Sequence, residues 1–145
     1  MTPVVHLNRL EEWPGLESAE PMLRRAAMAA LEYDGPRDGE ASFTFVSLGE
    51  IRALNHDYLG REGVTDVIAF ELGEGGRLLG DVYISPEVAT MNAADTDDSG
   101  EREILRLVVH GSLHLIGLDH PEGPDREASE MFVLQEELLR SLTDG

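Results

Sequence analysis

The sequence predicts an α+β fold, a small mixed four-stranded sheet with surrounding helices, as one domain over residues 1–145. Three observations carry this. Strand-like and helix-like stretches follow one another in the irregular order βαβαββααα, without the strict alternation of a doubly wound sheet. Two strands, VTDVIAFEL (64–72) and RLLGDVYIS (77–85), are joined through GEGG (73–76), the pattern of a hairpin. One helical stretch, EREILRLVVHGSLHLIG (101–117), is apolar nearly all round, which marks a buried helix.

Taken in order, PVVHLN (3–8) reads as the first strand, and Trp13-Pro14-Gly15 breaks the chain. Leu23, Ala26, Ala27, Ala30 and Leu31 then recur at helical spacing, with Ser18 and Pro21 as a start. The turn YDGPRDG (33–39) ends that helix. ASFTFVSL (41–48) alternates Phe43 and Phe45 with Ser42 and Thr44, as a strand does. A short helix places Ile51, Leu54 and Tyr58 on one face. After the hairpin, SPEVATMNAA (85–94) opens with a serine cap and a proline in the first helical position. DTDDSG (95–100) is acidic and expected to be exposed. The last helix, within 124–142, spaces Ala128, Met131, Leu134 and Leu138 along one side.

The charge is lopsided. Eleven basic residues, all arginine, face 29 acidic ones, a net charge of −18. Such a surface repels polyanions, because non-specific nucleic-acid binding rests on Lys and Arg neutralising phosphates. Any activity on RNA therefore needs a local Arg cluster, a cation or a basic protein partner. The absence of cysteine excludes disulfides, thiolate ligands and a thiol nucleophile. The N-terminus lacks the pattern of a signal peptide and no apolar run is long enough to span a bilayer, so a cytoplasmic protein with no membrane partner is expected.

Three of the five histidines crowd into VVHGSLHLIGLDH (108–120). His110 and His114, four residues apart on a helix, lie on one face and close enough to share an ion. Gly117 suits a left-handed helix end, after which the returning chain brings His120 as a third ligand. Three protein ligands leave one tetrahedral position for water, the arrangement of a catalytic zinc site. Zinc, one ion per chain, is the first expectation, although nickel or copper would take the same ligands. The spacing resembles that of the metzincin proteases, so the fold is expected to be zincin-like. Gly111, however, stands where those enzymes carry the glutamate that activates water for peptide hydrolysis.

HGSLHLIGLDH, LNHDYLGREGVTDVIAF (54–70) and LLGDVYIS (78–85) together resemble the YbeY family, bacterial metal-dependent endoribonucleases of ribosomal RNA maturation. The resemblance spans about residues 54–120 and implies His110, His114 and His120 as zinc ligands. It implies single-strand cleavage in maturing the 3′ end of small-subunit rRNA, a part in ribosome quality control, RNA rather than DNA as substrate, and docking on basic ribosomal proteins. The chain departs from the family pattern at Leu59, where an arginine is usual, at Glu62 in place of aspartate, and at Ala69 in place of serine. Arg61, two residues beyond the missing arginine, either reaches the same space as the catalytic phosphate-stabilising group or is a solvated loop residue.

RNA brings its own nucleophile, the ribose 2′-hydroxyl, so its cleavage does not require the protease glutamate. A zinc-bound hydroxide is then expected to serve as base or as attacking group. Asp119 either holds a ligand imidazole in its tautomer or caps the turn, and Asp66 and Asp81 either line the cleft or face solvent. Two other readings stand beside the endoribonuclease. One is a zinc peptidase using Glu122 or Asp119 as base; the other is a non-catalytic, metal-stabilised module of ribosome assembly.

Overall fold

The computed structural model describes residues 2–73, 77–118 and 129–143. Among these, the nine expected elements occur in the expected order: β1 (Val4–Asn8), α1 (Glu20–Leu31), β2 (Gly39–Phe45), α2 (Leu48–Leu59), β3 (Val67–Glu71), β4 (Leu78–Ile84), α3 (Pro86–Ala94), α4 (Gly100–Leu115) and α5 (Glu130–Thr143). Two short 3₁₀ turns, Leu10–Glu12 and Glu17–Ala19, link β1 to α1. The sheet runs β1-β2-β4-β3; the first two pairings are parallel, and β3 returns antiparallel to β4. The fold is α+β with a four-stranded mixed sheet, as the sequence implies.

Alternation sorts the sheet into two faces. Ala41, Phe43 and Phe45 on β2, and Val82 and Ile84 on β4, point into the main core with the buried stripe of α1. The opposite face carries a smaller cluster of Val46, Ile51, Ile68 and Val88, covered by α2. At the outer edge, Arg24 Nη1 donates to the carbonyl of Val5 at 2.6 Å, occupying a strand-edge acceptor.

Two boundaries differ from the sequence reading for local reasons. β2 starts at Gly39, inside the expected turn, because Gly39 pairs with Leu78 on β4. It stops at Phe45, because Ser47 closes a capping box with Glu50: its hydroxyl accepts from Glu50 N and its own N–H donates to Glu50 Oε1. Ser85 likewise caps α3, as expected.

α4 is the buried helix the composition calls for, packed against α1, α3, α5 and strands β3 and β4. Val108, Val109 and Leu113 are fully buried. Among the described residues, no helix is long and apolar enough to cross a membrane.

Candidate metal centre

His110 and His114 occupy the last turns of α4 and project from one side of it. Their Nε2 atoms approach to 3.1 Å, with the rings crossed at 80° and their centroids 4.7 Å apart. His110 is only 6% exposed, and His114 is half-buried. Two nitrogens on a tetrahedral zinc at about 2.0–2.1 Å lie about 3.3–3.4 Å apart. The pair could therefore close on one cation with a shift of a few tenths of an ångström. The donor chemistry fits as well, since both nitrogens are imidazole.

Directly beyond the pair the helix ends in the way the sequence implies. Gly117 adopts φ +98°, its N–H donates to His114 O at 3.1 Å, and Leu118 N–H donates to Leu113 O at 3.1 Å. These two bonds form a Schellman motif, which turns the chain sharply after the histidines. His120, Asp119 and Glu122 lie outside the described residues. Among the described residues, no third histidine or carboxylate joins the pair to complete a metal-binding group.

The position after His110 explains the missing glutamate. Gly111 is pressed on the sheet, and a Cβ there would sit 2.7 Å from Val82 Cγ1 and 3.5 Å from Val67 Cγ2. Close approach of α4 to β4 thus disfavours a side chain where a metzincin keeps its general base.

Two clefts flank the histidines. One of about 480 Å³ reaches His110 and is walled by Asp66, Asp98, Glu103, Arg106, Gln135 and Glu136, among others. The other, about 300 Å³, reaches His114 past Ala69 and Glu71. Arg106 is shared among three carboxylates of the first cleft. It lies 2.8 Å from Asp98 Oδ2, donates to Glu103 Oε2 at 2.6 Å and to Glu136 Oε2 at 2.9 Å. Its guanidinium lowers the Asp98 carboxyl below the ordinary range, whereas burial raises that of Glu103. Asp98 therefore belongs to an ion-pair network, although the sequence suggests a merely exposed loop.

The remaining sequence candidates are scattered. Asp66 lines the cleft beside His110 and accepts from Asn92 Nδ2 at 3.1 Å. Asp81 points to the α2 face of the sheet, opposite Phe70 and near Tyr83, whose phenol is pushed up by burial and by that carboxylate. Leu59 ends α2, 41% exposed, and Glu62 is an exposed loop residue 3.5 Å from His56 Nε2. Arg61 is exposed in the loop after α2, its backbone N–H donating to Asn55 O at 3.2 Å, and it lines neither cleft. Asn55 Nδ2 holds the same loop through Gly63 O at 3.3 Å.

Sequence reasoning missed Gln135. Only 3% exposed, it accepts from His110 Nδ1 through Oε1 at 2.5 Å and donates through Nε2 to Glu136 Oε2 at 3.0 Å. The buried stripe of α5 is Met131, Gln135 and Leu139, with Leu134 and Leu138 half-buried beside it. A glutamine centred at i+4 between two core residues is the signal that was available.

Comparison with known proteins identifies the family. The profile of the family described as Endoribonuclease YbeY matches residues 15–143. An Endoribonuclease YbeY of Limosilactobacillus fermentum is 41% identical over 140 residues, covering 86% of this chain and 88% of its own. One from Geobacillus kaustophilus is 38% identical over 149 residues, covering 93% and 94%. The solution structure of TM1509 from Thermotoga maritima shares 28% identity with a TM-score of 0.61, over 97% of this chain and 89% of that one. With its sheet, its buried histidine helix and that match over nearly its whole length, the chain belongs to the Endoribonuclease YbeY family.

Proposed function

We propose that the chain, as one domain over residues 1–145, is a zinc-dependent endoribonuclease that cuts single-stranded RNA at the clefts meeting His110 and His114. Family membership supports the coarse statement, an RNA-cleaving hydrolase. The observation that carries the finer reading is the convergence of two Nε2 atoms to 3.1 Å on the wall of those clefts. His110 and His114 hold the ion, with His120 as third ligand. When bound, zinc supplies positive charge, polarises a phosphate oxygen and acidifies water.

The walls themselves explain why a cation is needed. Among the described residues, the cleft at His110 presents Asp66, Asp98, Glu103 and Glu136 against the single guanidinium of Arg106, which three of them already share. A phosphate entering such a field is repelled unless charge is added. The ribose 2′-hydroxyl is the nucleophile, which removes the need for a glutamate at Gly111. Arg61 is assigned the growing phosphate charge, although its exposed loop lines neither cleft in the RNA-free protein, and Asp119 is assigned the orientation of a ligand imidazole. The substrate is ribosomal RNA, the 3′ end of the small-subunit species, cut in the cytoplasm. The net charge of −18 suits docking on basic ribosomal proteins.

His114→Ala tests this reading. The variant is expected to lose bound zinc, to stop cleaving structured RNA, and to leave 3′-extended small-subunit rRNA when it replaces the wild type in cells. A variant that loses zinc yet cleaves RNA at the wild-type rate refutes the mechanism. Zinc-dependent cutting of casein by the wild type would favour a peptidase instead.

A further inference from the structure

The polar side chains around His110 form a chain of hydrogen bonds whose direction can be read from its far end. Arg106 can only donate, and it donates to both carboxylate oxygens of Glu136: from Nε to Oε2 at 2.9 Å and from Nη2 to Oε1 at 3.2 Å. An ionised Glu136 can only accept, so the group of Gln135 that lies 3.0 Å from its Oε2 must be the amide NH₂. That choice turns the Gln135 carbonyl oxygen toward His110. A carbonyl oxygen only accepts, so the imidazole nitrogen facing it, Nδ1, carries a hydrogen. In a neutral ring this leaves the lone pair on Nε2, the atom that faces His114 Nε2.

We propose that Gln135 is a positioning residue that sets His110 in the Nδ1–H tautomer, which puts the coordinating lone pair on Nε2, and that Arg106 and Glu136 in turn fix the orientation of the Gln135 amide. This rests on the zinc reading for its purpose, although the tautomer itself is a property of the metal-free protein. Burial makes the device effective. Gln135 is 3% exposed and His110 6%, so water does not compete freely for either group. Carboxylates and backbone carbonyls commonly hold metal-bound histidines in this way. Here a neutral amide does so, and it needs the ion pair behind it because an unrestrained amide presents a donor as readily as an acceptor.

The expected effects can be separated. Gln135→Met keeps an unbranched chain of similar length in the buried stripe and removes the acceptor. Its zinc dissociation constant, measured by competition with a chromophoric chelator, should rise by about 10- to 100-fold. Glu136→Gln leaves Gln135 in place but releases its amide, and should cost less than about tenfold. In metal-free wild-type protein, long-range proton–nitrogen NMR of the imidazoles should show His110 protonated at Nδ1. An Nε2–H pattern for His110 overturns the proposal even if neither variant folds, as does a Gln135→Met protein that binds zinc within twofold of wild type. A wild type that binds no zinc sinks the metal reading, and with it the purpose assigned to Gln135, while the NMR pattern still tests the hydrogen-bond chain separately.

Discussion

The C-terminal ends of α4 and α2 carry two of the sequence stretches that resemble the family, and they are built in opposite ways. At the end of α4 the described polar groups are held by packing and hydrogen bonds. His110 is 6% exposed and bonded to Gln135, and the turn beyond is closed by the Schellman bonds at Gly117 and Leu118. At the end of α2, Tyr58 is 69% exposed, Leu59 41%, and Arg61 is exposed, its backbone N–H tied to Asn55 O. On the proposed reading, the difference would separate ion holding from charge stabilisation. A cation requires ligands within tenths of an ångström, which only packing supplies. An exposed arginine that meets a phosphate only after RNA binds would not need to be set in advance.

The contrast can be broken most violently at α4. Gly111→Glu, which restores the metzincin glutamate, should destabilise the fold by about 3 kcal/mol or more, combining overpacking on Val82 with a buried carboxylate. Urea unfolding measures it, and the variant should gain no peptidase activity. A stable, zinc-binding Gly111→Glu protein would mean that α4 is not pressed on β4 as described.

At α2 the expected stability effect is far smaller. Arg61→Ala should leave stability within about 0.5 kcal/mol of wild type, yet slow RNA cleavage by about 100-fold if Arg61 supports the transition-state charge. Single-turnover rates at saturating enzyme separate the two. Unchanged cleavage would make Arg61 a solvated loop residue and leave the charge-stabilising role unfilled.

The smallest effect concerns the other end of α2. Hydrogen bonds from Arg9, and from the Ser47 backbone, hold the Glu50 carboxyl down at about 2. A carboxyl depressed in the folded state contributes stability above its unfolded pKa of about 4.3 and loses it as pH falls toward 2. Glu50→Gln should therefore lower stability at pH 7 by only about 0.5 kcal/mol, since the pair is solvent-screened. It should also flatten the acid limb between pH about 4.5 and 2 in unfolding midpoints. Equal acid limbs in the two proteins would deny Glu50 that role.

Much of this molecule is legible in one dimension. Period-two alternation in ASFTF, the alanine-rich stripe of α1 and the apolar run of α4 place strands and helices because each is a local pattern facing a core. Ser85 and Gly117 mark boundaries because capping is a short-range competition for backbone groups. The histidine pair is legible for the same reason: i and i+4 on a helix are neighbours whatever surrounds them. Stripe membership was less secure. The sequence puts Tyr58 on one face of α2 with Ile51, yet Ile51 is buried while Tyr58 is exposed and touches Phe70 edge-on at 5.9 Å.

By itself, the sequence determined which residues become helix or strand, where the buried helix lies, and that two imidazoles share one side of it. Those properties depend on neighbours within about a turn of helix or a few strand residues. Tertiary structure alone decided that β1, β2 and β4 run parallel, that Gly111 meets Val82, and that Gln135 from α5 reaches His110. Each of these joins residues far apart along the chain, and such pairs meet only through the packing of whole elements, which no local pattern encodes.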